Sequence, residues 1–209
     1  MNAIVVGGHT RNIGKTSVMA GLIRDLQPLG WTAVKITQYG HGICSRDGQP
    51  CGCAPTEHPF VLTEEGDPRG QTDTSRFLAA GARRSLWLRA RQGQLGQALP
   101  LLTEAISRDD WVMIESNSVL EFLKPSLYLM VLDSSRRDFK ASARQFLDQA
   151  DALVAIQSRL ETDAWAGIQL RGSKPVFPVA AGAYSSPELC QFVRQRLALT
   201  SQNVLLPAS

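Results

Sequence analysis

The stretch from Ile4 to Met19, IVVGGHTRNIGKTSVM, constrains the fold of this chain more than any other. A short apolar strand leads into a glycine-bearing loop, and a helix begins at Gly14-Lys15-Thr16. This is the layout of a phosphate-binding loop, in which backbone N–H groups surround an anion at the positive end of a helix. In that layout Lys15 reaches the outer phosphates and the Thr16 hydroxyl binds Mg²⁺.

The loop departs from the usual pattern in its length. Five residues, rather than four, separate Gly8 from Gly14, and His9 stands where the shorter pattern has glycine. The alternative interpretation is a chance Gly-Lys-Thr at the start of an ordinary helix, but the strand before it and the helix after it supply the context that the motif requires. We predict that one continuous segment contacts a nucleotide: Gly8, His9, Thr10, Arg11, Asn12, Ile13, Gly14, Lys15, Thr16 and Ser17.

Length and composition favour a single domain over residues 1–209, which is long enough for a full α/β core. The hydrophobic content of 44% and the net charge of +3 are ordinary for a soluble protein and do not indicate a nucleic-acid partner. No apolar run reaches membrane-spanning length, and the N-terminus lacks the features of a signal peptide. We therefore expect a cytoplasmic protein with no membrane partner.

Strand and helix patterns alternate along most of the chain. They predict an α/β fold with a mostly parallel sheet and helices on both faces, in which the ligand lies beyond the carboxyl ends of the strands. The predicted strands cover residues 3–6, 32–36, 85–89, 111–114, 128–132, 152–156 and 176–179. The predicted helices cover residues 15–26, 72–84, 93–107, 138–149, 162–171 and 186–199.

The stretch at about 38–72 breaks this alternation. It is rich in Gly, Pro, Cys, His and acidic residues and shows no steady period, which predicts a functional loop inserted on the site side of the sheet. Cys44, Cys51 and Cys53 lie within it at the spacing C-x6-C-x-C. Such a cluster is a candidate Zn²⁺ or Fe–S site, and the alternative is a set of free thiols in a loop.

Two acidic residues close apolar strands. Glu115 ends the strand WVMIE, where its carboxylate is well placed to bind Mg²⁺ together with Thr16. The alternative is a surface acid that merely follows a strand. Asp133 ends the next strand in the same way, and for it we favour a structural role.

Further candidates flank the loop. Lys35 ends the second strand, and an amine there points towards the phosphate end of the pocket unless it only covers a strand end. Asp73 and Arg76 lie one helical turn apart, where they contact a second substrate or the metal, or form a helix cap and a surface charge. The predicted catalytic set is Lys15, Lys35, Asp73 and Glu115.

Two motifs resemble known families. The loop G-x5-GKT and the following VKITQ are similar to dethiobiotin synthetase and its relatives. The segment TDTSRFLAAGA at 72–82, with a strand ending in Glu115, resembles more closely the MobB-like adaptors of molybdopterin-guanine dinucleotide biosynthesis. Their Asp-Ser/Thr-x-Arg-(x)n-Ala-Gly-Ala segment is matched here by Asp73, Thr74, Arg76, Ala80, Gly81 and Ala82.

The resemblance covers roughly residues 3–135 and implies a three-layer P-loop NTPase fold that binds nucleotide and Mg²⁺. It also implies weak or no stand-alone catalysis, a partner protein of cofactor biosynthesis and often a homodimer. The cysteine-bearing stretch has no counterpart that we expect in either family, and past Asp133 the match is only architectural. The substrate of the family therefore does not transfer to this chain.

Three functional hypotheses follow. The first is a P-loop protein that binds ATP or GTP and acts as a Mg²⁺-dependent NTPase or adaptor in metal-cofactor biosynthesis of the molybdopterin type. The second is an ATP-dependent small-molecule kinase or ligase of the dethiobiotin synthetase type, and the third is a non-catalytic, nucleotide-gated adaptor. The strand ALVAI is not followed by the Asn-Lys-x-Asp that recognises guanine in GTPases, so the sequence does not decide between ATP and GTP.

Overall fold

One twisted sheet organises the part of the chain described by the computed structural model, which comprises residues 2–40, 59–157, 160 and 165–197. Its strands are β1 (Asn2–Gly8), β2 (Thr32–Tyr39), β3 (Phe60–Glu64), β4 (Arg84–Arg91), β5 (Trp111–Glu115), β6 (Leu127–Leu132), β7 (Ala152–Ile156) and β8 (Val176–Val179). They lie in the order β3-β4-β2-β5-β1-β6-β7-β8. All neighbours are parallel except β3, which pairs antiparallel with β4 at the edge of the sheet.

Helices cover both faces of this sheet. They are α1 (Lys15–Asp25), α2 (Asp73–Ala79), α3 (Leu95–Ala105), α4 (Ala141–Phe146) and α5 (Pro187–Arg196). Apolar residues of α1, α2 and α5 pack in one core with Ile4, Val6 and Leu129, whereas α3 and α4 pack in a second core with Val5 and Ile114. Successive residues of a strand point to opposite faces, so the continuous apolar strands β1 and β5 supply both cores.

The position of β1 determines where the site forms. β1 lies between β5 and β6, and α1 carries the chain from β1 to β2 on the far side of β5. Val6 and Lys35 are both register partners of Glu115, so the carboxyl ends of β1, β2 and β5 meet at one edge. The loop between β1 and α1 lies at that edge, as expected for a ligand site in an open α/β sheet.

Several local predictions are wrong. Residues 60–64, assigned to a loop, form β3, because their backbone groups pair with the otherwise free edge of β4. The helix predicted over 162–171 is absent from its described part, 165–171, where Gly167 has a left-handed φ of 72°. The helix predicted over 138–149 is shorter, since α4 spans only Ala141–Phe146 before a 3₁₀ turn at Leu147–Gln149.

The helix predicted over 72–84 is also too long, since α2 ends at Ala79 and β4 begins at Arg84. The remaining element predictions agree with the structure to within a few residues. Thr72 caps α2, because its hydroxyl accepts a hydrogen bond from the Ser75 N–H, and Ser186 caps α5 by the same contact to the Leu189 N–H. Cys190 is buried in the core beside α1. No helix among the described residues has both the length and the apolar character needed to cross a membrane.

Candidate phosphate-binding site

The loop between β1 and α1 has the backbone shape of a phosphate-binding loop. Asn12 and Gly14 adopt left-handed conformations, with φ of 56° and 95°. Glycine adopts this conformation without strain and asparagine tolerates it, so both residue types suit their positions. The loop then turns directly into α1 at Lys15. The Lys15 ammonium donates a hydrogen bond to the carbonyl oxygen of Thr10 at 2.7 Å, so the side chain folds back across the loop that precedes it.

Asn117 fixes the start of the loop. Its side-chain oxygen accepts a hydrogen bond from the Gly8 N–H at 2.8 Å, and its side-chain nitrogen donates to the Gly8 carbonyl at 2.9 Å. A Cβ at Gly7 would lie only 2.2 Å from the same side-chain oxygen, so this close approach requires glycine there. Asn117 follows β5 by two residues and therefore ties the ends of β1 and β5 together.

His9 fastens the loop to the segment that follows β6. The Asp133 N–H donates to Nε2 of His9 at 3.1 Å, so the neutral ring carries its proton on Nδ1, which donates to the Asp138 carbonyl at 2.9 Å. The His9 carbonyl accepts from the Lys140 N–H at 2.9 Å. The Thr10 hydroxyl also donates to the Asp138 carboxylate. These contacts hold residues 133–140 against the loop.

The His9 side chain is fully buried, and its ring packs against Phe139 and Trp165 with centroids 5.3 and 5.0 Å away. Burial lowers the pKa of His9, because desolvation penalises the imidazolium more than the nearby Asp138 and Asp133 favour it. His9 therefore stabilises the loop as a neutral ring. Its side chain does not line the cavity, although we predicted it in the contact segment.

Thr16 and Glu115 form the centre of the site. The Thr16 hydroxyl donates a hydrogen bond to the Glu115 carboxylate at 2.7 Å, and both side chains are largely buried. The Lys35 ammonium lies 3.6 Å from the same carboxylate oxygen. A hydroxyl and a carboxylate oxygen side by side are the donors that Mg²⁺ prefers, so these two residues fit the ion that a phosphate-binding loop implies. Among the described residues no group of three or more His, Cys, Asp or Glu side chains could hold a metal.

A chain of polar contacts joins α2 to the loop. Lys35 forms an ion pair with the Asp73 carboxylate, and Arg76 lies 3.4 Å from the same group. The other end of the Arg76 guanidinium donates to the Ser17 hydroxyl at 2.8 Å. The start of α2 is thereby linked both to the carboxyl end of β2 and to the first turn of α1.

These residues surround a cavity of about 910 Å³. Its cationic lining residues are Arg11, Lys15, Lys35, Arg76 and Lys140, against two acids, Asp73 and Glu115. Burial lowers the pKa of the Lys15 ammonium, and Lys35 and Arg11 lower it further against the attraction of Glu115. A cleft with this balance of charge favours an anionic ligand.

Most of the predicted site residues line this cavity. They are Gly8, Arg11, Asn12, Gly14, Lys15, Thr16, Ser17, Lys35, Asp73 and Glu115. The side chains of Thr10 and Ile13 are buried, like that of His9. The Asp133 carboxylate accepts two hydrogen bonds from Ser135, as a turn-forming acid does, in keeping with its expected structural role. Cys44, Cys51 and Cys53 lie outside the described residues, so their role stays a prediction.

Sequence reasoning missed Asn117, Lys140 and Tyr184, all of which line the cavity. Asn117 had a usable signal, since it follows Glu115 at the carboxyl end of a central strand. Lys140 and Tyr184 belong to loops whose contact with residues 8–14 arises only when the sheet assembles. A Cβ at Gly14 would lie 3.2 Å from the Tyr184 ring, which shows how closely the two segments pack.

Comparisons with known proteins give structural similarity at low sequence identity. No protein-family model matches the chain, and a search of curated proteins finds no significant match. The chain is similar to the structure of HypB from Helicobacter pylori in complex with nickel, with 12% identity and a TM-score of 0.47 over 99% of this chain and 90% of HypB. It is similar to Bacillus subtilis MobB at 16% identity, with a TM-score of 0.38 over 94% of this chain and 97% of MobB.

LpxK from Aquifex aeolicus in complex with ATP is a further structural neighbour, with 16% identity and a TM-score of 0.47. The alignment covers 85% of this chain but only 53% of LpxK. The fold assignment rests on the chain's own strand order, helical layers and loop geometry. The chain has the three-layer α/β fold of the P-loop NTPases.

Proposed function

We propose that this chain binds a nucleoside triphosphate together with Mg²⁺ at the carboxyl edge of the sheet and hydrolyses it as part of a larger process. The observation that carries this proposal is the contact between the Thr16 hydroxyl and the Glu115 carboxylate, 2.7 Å apart at the mouth of the loop. Lys15 follows the left-handed Gly14 directly before that threonine. A loop shape, an ammonium and a pair of hard oxygen donors at one point are the minimum set for binding a metal–triphosphate.

In this proposal the chain's own groups divide the work. Backbone N–H groups of the loop bind phosphate oxygens, and the Lys15 ammonium exchanges its bond to the Thr10 carbonyl for one to an outer phosphate. Thr16 and Glu115 would hold Mg²⁺, which supplies charge neutralisation at the phosphates. Lys35 places its ammonium nitrogen 3.6 Å from the Glu115 carboxylate and anchors Asp73 at the start of α2.

A helper role in metal-cofactor assembly is the finer form of the proposal. Its support is the MobB-like segment at 72–82, two residues of which reach the site. Asp73 pairs with Lys35, and Arg76 donates to Ser17 on the first turn of α1. In this form, the energy of nucleotide binding or hydrolysis acts on a partner protein that contacts α2. Release of phosphate only in the presence of a copurifying partner would support this role, whereas fast release of phosphate by the isolated chain would oppose it.

The kinase or ligase alternative requires Lys35 and Asp73 to face an acceptor near the outer phosphate. In the structure these two side chains pair with each other, which leaves neither directed at a second substrate. The geometry therefore favours a positioning role for both. The decisive assay is release of ADP, since a burst that depends on an added small acceptor would restore this alternative.

The cysteine cluster is a separate prediction. If Cys44, Cys51 and Cys53 bind Zn²⁺ or an Fe–S cluster, protein purified without oxygen contains stoichiometric metal. A double variant, Cys51→Ser with Cys53→Ser, then loses that metal. Equal metal content in the two proteins would remove the prediction.

Glu115→Gln tests the proposed function at its central contact. The amide keeps the hydrogen bond to Thr16 but removes the charge, so binding of ATP or GTP measured by calorimetry should lose its Mg²⁺-dependent part. We expect affinity in Mg²⁺ to fall by about tenfold or more, with little change in EDTA. Glu121→Gln, at an exposed glutamate outside the cavity, is the matched control. Equal loss with and without Mg²⁺ would contradict a metal-binding role of Glu115.

A further inference from the structure

Lys140 is a cation of the site that the proposed function has not yet used. It lines the cavity and is partly buried, and its ammonium makes no hydrogen bond or ion pair with any residue that the structure describes. Lys35, by comparison, pairs with Asp73, and Lys15 binds the Thr10 carbonyl. A partly buried ammonium that forms no hydrogen bond or ion pair is unusual, because lysine normally keeps its head group in water.

The backbone of Lys140 is held firmly at this place. Its N–H donates to the His9 carbonyl at 2.9 Å, and the preceding residue packs its ring against His9. Asp138 is bound by both His9 and Thr10. The buried histidine thus fixes the segment that carries Lys140 in register with the phosphate-binding loop.

The charges around Lys140 indicate what it binds. Lys15 and Arg11 lie close enough to disfavour its ammonium, and Asp138 is the acid that partly offsets them. Burial and these two cations lower the pKa of Lys140 to about 8. Three cations that converge on one cavity repel one another in the empty protein, and a bound polyanion removes that repulsion. Such an arrangement is typical of a functional site rather than of a solvated surface.

We propose that Lys140 is a second phosphate ligand of this site, acting from the same chain opposite Lys15. Its ammonium donates to a non-bridging oxygen of the triphosphate, so that the anion lies between the loop and the 133–140 segment. This inference rests on the proposed function and adds a residue that stabilises charge on the phosphates. The ligand class is a polyphosphate, and the contact with Lys140 does not depend on the nucleotide base.

The experiment compares Lys140→Met, Lys140→Arg and the exposed Lys124→Met as a matched control. Calorimetry with Mg²⁺–ATP, Mg²⁺–GTP and inorganic tripolyphosphate measures affinity, and thermal unfolding checks that each variant folds. We expect Lys140→Met to weaken binding of tripolyphosphate and of whichever nucleotide binds by about tenfold or more. Lys140→Arg should recover most of this loss, and Lys124→Met should match the wild type.

A pH series adds a readout that a purely structural role would not move. Above about pH 8 the free protein must take up a proton on Lys140 to bind the anion, so wild-type affinity should fall between pH 7.5 and 9.5. The fall should be shallower in Lys140→Met. Unchanged tripolyphosphate affinity in Lys140→Met would overturn the assignment of Lys140, as would parallel pH profiles of the two proteins. The proposed function would still stand in that case if Lys15→Ala lost its affinity for polyphosphate. Absence of any polyphosphate binding by the wild type would overturn both.

Discussion

At the residue scale, His9 shows what a local pattern can and cannot indicate. The sequence places it inside the phosphate-binding loop, and that position is correct, but its ring turns into the core and binds Asp133 and Asp138. Those partners are more than 120 residues away in the chain, at separations of 124 and 129. No local signal could have predicted them. Lys15, Thr16 and Glu115, in contrast, follow from strand ends and the loop motif, and the structure brings all three to one cavity.

His9→Gln tests the structural role of the ring through the pH dependence of stability. Burial lowers the pKa of His9 in the folded protein, so below the unfolded value of about 6.5 the unfolded chain binds the proton more readily. Wild-type stability from His9 is therefore full above that pH and is lost as the pH falls. We expect His9→Gln to be roughly 1–3 kcal/mol less stable at pH 7.5.

The difference in unfolding free energy between the wild type and His9→Gln should narrow as the pH falls from 7 to 5.5, because only the wild type loses stability through protonation of His9. Urea unfolding at each pH measures it. Lys15 and the two acids near the ring are present in both proteins, so their titration cancels in the difference. Parallel stability curves would mean that His9 is not held neutral by the fold.

At the element scale, strong periodicity gave correct elements and weak periodicity did not. The helices at α1, α3 and α5 and the apolar strands β1, β5, β6 and β7 were predictable from their patterns. β3 was missed because an edge strand of five residues gains its stability from pairing with β4, a non-local contact. The helix predicted over 162–171 is wrong because Trp165 makes contacts that are distant in the sequence: its ring packs on His9 and its indole N–H donates to the Arg136 carbonyl.

Thr72→Ala tests whether the cap of α2 supports the site. The Thr72 hydroxyl caps the helix at Ser75 and contacts Glu65, whose pKa is lowered to about 2 chiefly by the Asp67 N–H and then by Thr72. Its loss should cost about 1 kcal/mol in unfolding free energy. Triphosphate affinity should also fall, since α2 carries Asp73 against Lys35.

Ser186→Ala is the matched control for Thr72→Ala. It removes the equivalent hydroxyl cap of α5, which has no residue in the cavity lining. We expect Ser186→Ala to lose a similar amount of stability but to bind triphosphate with the affinity of the wild type. If both cap variants bound nucleotide as the wild type does, α2 would have no part in the site.

At the scale of the whole molecule, the alternation of strands and helices correctly predicted a mostly parallel sheet, and a cavity lies at the carboxyl ends of its central strands. It did not predict the strand order, in which β5 lies between β1 and β2. That order places Glu115 beside both Val6 and Lys35, and so assembles the site from three strands. The cavity needs Lys140 and Tyr184 as well, which arrive from the other half of the sheet. The proposed binding of a polyphosphate is therefore a property of the assembled edge, with Lys15 at its centre.

Equilibrium titration of the wild type and Lys15→Ala with Mg²⁺–ATP, Mg²⁺–GTP and tripolyphosphate tests that claim most directly. We expect one bound polyphosphate per wild-type chain, and an affinity in Lys15→Ala lower by about one to two orders of magnitude with unchanged circular dichroism and melting temperature. A wild type that binds none of the three probes, or a Lys15→Ala variant that binds them equally well, would contradict it.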